Sequence, residues 1–284
     1  MADILDIPSW DMMMKKLLGL LLLSVSVFAD DETSALLLAQ ERDRLIVGVK
    51  TDARLFGFKE PMTGEIKGFD VELAGAISRY LLGDEHKLVL KSVSAQTRFP
   101  MLQNAEVDIL IATVSITEER KHLADFSDSY FEVGESILVD NHSKITHLND
   151  LAHKKVIVVK GTHAVTVLPQ QIPSVKLLQY DNYIEAIKAL RKGEGVALVT
   201  GSGILMGIQK DNPDLQMVGG FFTFESYGIA VRKGDSVMLD AVNTALRKIR
   251  ASGEYNTLYQ KWFGDLVEKE YERFYQQKFG HLFK

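Results

Sequence analysis

Cysteine is absent from all 284 residues, which removes disulfides, thiolate zinc sites, iron–sulfur clusters and cysteine nucleophiles together. A basic excess is absent as well. The formal net charge is −5, whereas a nucleic-acid binder shows a basic stripe, so no nucleic-acid partner is expected. Low-complexity tracts and heptad runs are missing, which argues against disorder and coiled coil. The longest apolar run, Leu17–Phe28, has 12 residues. A membrane-spanning helix needs roughly 20. Lys15 and Lys16 precede that run, and Val27 and Ala29 occupy the −3 and −1 positions of a cleavage site before Asp30. Residues 1–29 therefore read as a signal peptide, with residues 1–11 an odd extension in front of it. Its removal leaves 255 residues with a net charge of −4. No cysteine follows the apolar run to carry a lipid, so the expected product is a soluble exported protein without an anchor.

What remains alternates between two hydrophobic periods. Leu45–Lys50, Lys87–Val93, Val107–Val114, Lys155–Val159, Val175–Tyr180, Val196–Thr200 and Ser226–Arg232 read as strands. Val71–Leu81, Arg98–Gln103, Ile184–Leu190, Val237–Ser252 and Tyr255–Phe263 read as helices. Met62-Thr63-Gly64 marks a hairpin turn, and Val196–Thr200 is expected to enter a glycine-rich bend. Two blocks of this kind predict two α/β lobes, each with its own mostly parallel sheet. The tail over 265–284 is aromatic and charged, and reads as a packed or docking helix.

Catalytic signatures are weak. None of the seven histidines falls in a metal-ligand spacing, and His142, His147 and His153 lie in a polar connection. No nucleophile elbow or phosphate loop occurs. Gly201-Ser202-Gly203 followed by Gly207 misses the dinucleotide spacing, since Met206 fills the third glycine's place. No cofactor and no metal are expected. The stronger signal is Thr113–Arg120 after an apolar strand. Thr117 suits a helix N-cap, Glu118 and Glu119 suit its first turn, and Arg120 offers a bidentate pair to a carboxylate. The same residues also fit a plain capped helix with a surface arginine. Gly161-Thr162 forms a second strand-end junction. One anion cradle per lobe would hold a small ligand in a cleft.

At these residues the chain resembles the periplasmic solute-binding proteins of the polar amino-acid ABC importers (bacterial extracellular solute-binding protein family 3). The pieces LIVGVK, GEIKGFDVEL, VDILIATVSITEERKHLADFSDSYF, KGTH, YGIAVRKGD and YQKWFG occur in that family's order. The resemblance covers about Arg44 to Gly264 and is nearest to the branch binding acidic amino acids or cysteine. It implies a type II two-lobed fold with two hinge strands. Lobe 1 would be 30–133 plus 227–264, and lobe 2 would be 134–226. It implies ligand contacts at Lys50, Phe56, Arg98, Thr113, Ser115, Arg120, Gly161, Thr162, Gly201 and Tyr227. Arg120 would grip the α-carboxylate, Phe56 would cover the ligand, and Lys50 and Arg98 would take a side-chain carboxylate. The partner would be an inner-membrane ABC permease, and the protein a monomer.

Two departures matter. The resembled family usually has xPPF or xPF before its aromatic, where this chain has Arg54-Leu55-Phe56. The second is more serious. The family's ammonium-binding aspartate is replaced by Gly201, which leaves Lys50, Arg98, Arg120 and possibly Arg54 without a compensating acid. Two readings stay open: a dicarboxylate or other anion binds instead of an amino acid, or Glu225 or another acid moves in. A ligand-sensing module and a cyclohexadienyl dehydratase are lower alternatives. The latter needs an acid after VALVT, where Gly203, Ile204 and Leu205 supply none.

Overall fold

The computed structural model describes residues 33–264. The expected leader and tail lie outside the described residues. A short helix α1 (Ala35–Glu41) is capped by the Ser34 hydroxyl and leads into β1 (Leu45–Val49). A small three-stranded sheet follows, with β2 (Asp52–Ala53), β3 (Gly57–Lys59) and β4 (Ile66–Lys67). Its turn holds Gly64 at φ +74°, as the hairpin signal predicts. Helix α2 (Phe69–Leu82), β5 (Leu88–Ser92), α3 (Arg98–Gln103), β6 (Ile109–Leu110), α4 (Glu118–Lys121) and the long β7 (Ala124–Val133) come next.

The next strand, β8 (Glu135–Asp140), joins a second sheet with β9 (Lys155–Val159), β10 (Lys176–Tyr180), β11 (Ala197–Gly201) and β12 (Leu215–Val218). Helices α5 (Ala164–Gln171), α6 (Tyr183–Arg191) and α7 (Ser202–Asp211) connect its strands. Strand β13 (Glu225–Arg232) then returns to the first sheet. Helices α8 (Ser236–Ala251) and α9 (Glu254–Phe263) pack on α2, and α8 also packs on β7.

The sheets share one plan. The first runs β5-β1-β6-β13-β7 and the second β10-β9-β11-β8-β12. In each, one strand runs against the other four: β13 in the first, β8 in the second. A reversed strand starts where its neighbours end. Its first residue therefore lies at the carboxyl edge of the sheet, where open α/β sheets hold ligands.

Two expectations change here. The strand expected over Val107–Val114 narrows to Ile109–Leu110. The Asp108 carboxylate takes the Ile46 N–H at 2.7 Å, and Thr113 turns the chain at φ +49°. The expected bend after Thr200 is instead the first turn of α7, a helix buried along Ser202–Ile208. Its glycines are there for contact: a Cβ on Gly203 would lie 2.9 Å from the Phe56 ring.

Candidate functional site

The carboxyl edges of the two sheets close on a small cavity of about 20 Å³, room for little more than one water molecule. Lys50, Arg98, Thr113, Ser115, Arg120 and Tyr227 line it from the first sheet's side. Glu135, Thr162, His163, Tyr183, Thr200 and Gly201 line it from the second.

Backbone geometry sets the first wall. Thr113 holds a left-handed φ, which costs a β-branched residue of order 1–3 kcal/mol. Its N–H is fixed at 3.1 Å on the Asp70 carboxylate. Asp70 is fully buried, and burial lifts its carboxyl to about 7 against the opposing pull of Tyr130 and that N–H. An isolated bridge pairs Ser115 with Tyr227. Thr117 caps α4 as expected, accepting the Arg120 N–H at 3.2 Å. The cap turns the Arg120 side chain inward, where Nη1 donates to the Ser115 carbonyl at 2.9 Å.

The two arginines reach across the cleft. Arg98 Nη1 donates to the carbonyls of Ala112 (2.8 Å) and Thr113 (3.2 Å). Arg98 Nη2 and Arg120 Nη2 both donate to the Gly161 carbonyl, at 3.4 and 3.2 Å. Burial, and then the neighbouring Arg120, bring the Arg98 guanidinium down to about 9. Gly161 does not line the cavity; it serves through this carbonyl. It sits at φ +74°, and a Cβ there would lie 2.6 Å from the Ala95 carbonyl oxygen. Only glycine fits such an approach.

Lys50 is 1% exposed, and its Nζ lies 2.8 Å from Asp52 Oδ1. Burial lowers the Lys50 ammonium below its ordinary range, and Asp52 opposes the shift. The other Asp52 oxygen accepts the Tyr183 N–H at 3.2 Å, at the start of α6. The Tyr183 hydroxyl lies 2.9 Å from Thr200 Oγ1.

Sequence reasoning missed Glu135 and His163, and named Glu225 only as an acid that could replace the absent aspartate. Glu135 opens β8, directly across the ladder from Gly201. It is 3% exposed, and its Oε2 has no hydrogen-bond partner. Glu225 opens β13. Both glutamates are thus first residues of the two reversed strands. The Thr223 hydroxyl ties them together: it accepts the Glu135 N–H at 2.7 Å and donates to Glu225 Oε1 at 2.7 Å. His163 Nδ1 lies 2.8 Å from Glu225 and 3.9 Å from Glu135. Burial would raise Glu225, but His163, Ser115 and Thr223 hold it below the ordinary carboxylate range. Burial and then Glu225 push Glu135 well above that range, opposed by Arg120. Ligand atoms of Glu135, His163 and Glu225 all lie within 4.8 Å of one another, so the trio has the donor set for a cation. A lone glutamate heading the apolar run SILV is a signal that could have found Glu135. The KGTH motif already contains His163.

Two expectations are corrected. Phe56 does not line the cavity. It is fully buried behind it, with ring centroids 4.9 Å from Phe131, 5.1 Å from Phe263 and 5.8 Å from Tyr227. Burying such a ring contributes about 1.5–3 kcal/mol, more than an edge contact to a polar ligand would. Arg54 does not line the cavity; it is paired with Glu60 and Asp211 and stacked on Phe58. The cleft is therefore not a cationic pocket without acids.

Residues 45–265 match the sequence profile of the bacterial extracellular solute-binding proteins, family 3. The glutamine-binding protein GlnH of Bacillus subtilis is 45% identical over 224 residues, 78% of this chain and 82% of that protein. The L-glutamate/L-aspartate-binding protein of Pseudomonas aeruginosa is 32% identical over 253 residues, 85% of this chain and 84% of its own. The solved structure of an ancestral arginine-binding protein bound to glutamine superposes with a TM-score of 0.74 at 39% identity. It covers 78% of this chain and 99% of that one.

Proposed function

The chain belongs to the bacterial extracellular solute-binding proteins of family 3, and from that premise we propose that it captures a neutral polar amino acid of the glutamine kind. As the binding protein of an amino-acid ABC importer, it would deliver that ligand to a membrane permease. It would work as a monomer outside the cytoplasmic membrane.

Charge balance carries this reading. Three basic side chains, Lys50, Arg98 and Arg120, face three acidic ones, Asp52, Glu135 and Glu225. A ligand with no net charge preserves that balance, whereas glutamate adds one negative charge and arginine one positive. The ligand α-carboxylate takes Arg120, with Thr113, Ser115 and Thr162 around it. The α-ammonium takes Glu135 and Glu225, which restore the charge that Gly201 lacks. The side-chain amide then lies toward Lys50, Tyr183 and Thr200. Both cations expected to hold a side-chain carboxylate already have partners: Asp52 for Lys50 and three carbonyls for Arg98. A dicarboxylate would lie against two glutamates, at an electrostatic cost. The relatives named for glutamine point the same way.

Capture follows from where these groups sit. Each lobe holds part of the contact set, so ligand favours the closed arrangement that completes it. Calorimetry with glutamine, glutamate, aspartate, cysteine, arginine, succinate and malate tests the reading. Glutamine should bind tightest. Tightest binding of succinate or malate refutes an amino-acid ligand, and glutamate above glutamine refutes the charge-balance argument.

A further inference from the structure

We propose that Asp52 sets the site's preference for an uncharged ligand side chain by neutralising the buried Lys50 ammonium. The inference rests on the amino-acid reading above and names the residue that decides among amino acids.

Lys50 directly follows β1 and Asp52 opens β2 two residues later, and their side chains meet as an ion pair. The carboxylate is held at both ends. One oxygen lies 2.8 Å from Lys50 Nζ, and the other accepts the Tyr183 N–H at 3.2 Å from the opposite lobe. It cannot swing aside to admit a second anion without giving up that bond. Lys50 also lies 5.4 Å from the Tyr183 ring, so the cation is enclosed by Asp52, an aromatic face and the cavity. A buried charge needs a partner. While Asp52 supplies it, a ligand carboxylate beside Lys50 meets a like charge. Without that charge, the ligand carboxylate becomes the only anion able to pair with Lys50.

Two variants move the preference in opposite directions. Asp52→Asn keeps an oxygen for the Tyr183 N–H and removes the charge. The ratio of glutamate to glutamine affinity should rise about tenfold to hundredfold, the value of one charge-assisted bond. Lys50→Met leaves Asp52 uncompensated, and the same ratio should fall below that of the wild type. Calorimetry at pH 6.5 with both amino acids reads the ratios, and thermal melting checks that each variant folds. If Asp52→Asn fails to fold, the Lys50→Met ratio alone decides. Unchanged ratios in folded variants that still bind glutamine refute the role of Asp52 alone. A wild-type protein that binds neither amino acid refutes the parent reading and this inference with it.

Discussion

Glu135→Gln should weaken ligand binding while making the ligand-free protein more stable. The substitution keeps the side chain's size and removes its charge. A charge-assisted hydrogen bond contributes about 1.5–3 kcal/mol, so the Kd for glutamine should rise about tenfold to 150-fold. Stability moves the other way because Glu135 is 3% exposed, Oε2 lacks a partner, and its carboxyl is held well above the ordinary range. The folded chain therefore holds that proton more tightly than the unfolded chain does. This contribution is full below the unfolded value of about 4.3 and is lost as pH rises toward the folded value. As pH rises above about 4.3 the wild type bears a growing share of that penalty, and the amide bears none of it. The ligand-free melting temperature at pH 7 should rise by about 2–4 °C for each kcal/mol relieved. Its decline above pH 4.3 should also flatten. Calorimetry gives the first quantity and melting at several pH values the second. A Kd within threefold of wild type refutes the ammonium role. A melting temperature lowered at pH 7 refutes the burial argument.

Other changes test other parts of the cleft. Arg120→Ala should weaken binding by about a hundredfold or more and leave ligand-free melting nearly unchanged, since the side chain is half-exposed and caps nothing. A large loss of ligand-free stability would instead mark Arg120 as structural. Gly161→Ala places a Cβ 2.6 Å from the Ala95 carbonyl oxygen at φ +74°. It should weaken binding and enlarge the radius of gyration of the liganded protein in solution scattering; unchanged closure would refute the tight approach. Gly201→Asp, which restores the family's usual acid, should not improve affinity, because its Cβ falls 2.4 Å from the Tyr227 hydroxyl. Adding Tyr227→Phe should recover part of the loss in a binding assay, and no recovery would refute that clash as the cause.

Much of this was legible in the chain, and the limits have physical causes. Helix α3 and strand β9 occupy the residues expected of them, because each is a short run of clear period between breakers. The long strand β7 was not read. Its sequence, ADFSDSYFEV, mixes polar and apolar residues because it is an edge strand paired on one side only, and its register shifts against β13. Helix α7 hid behind three glycines that serve contact rather than turning. At the site, the hydroxyls and arginines of the Thr113–Arg120 segment were readable because they are consecutive. Glu135 was not, and Glu225 was named only as a stand-in acid, because 90 residues separate them and only the reversal of β8 and β13 brings their starting ends together. Phe56 was misplaced because an aromatic near a ligand and one buried behind it look alike in sequence.

The strand order of the first sheet has a consequence for how the chain folds. β13 lies between β6 and β7, so β7 has no partner in that sheet until residues 225–232 arrive. The second sheet uses only residues 135–218, which form one unbroken stretch. During synthesis the later sheet can thus be complete while the earlier one waits. Pairing strands so far apart in sequence slows folding. β13 completes the first sheet and brings Glu225 and Tyr227 with it, so the cleft is incomplete until that strand pairs.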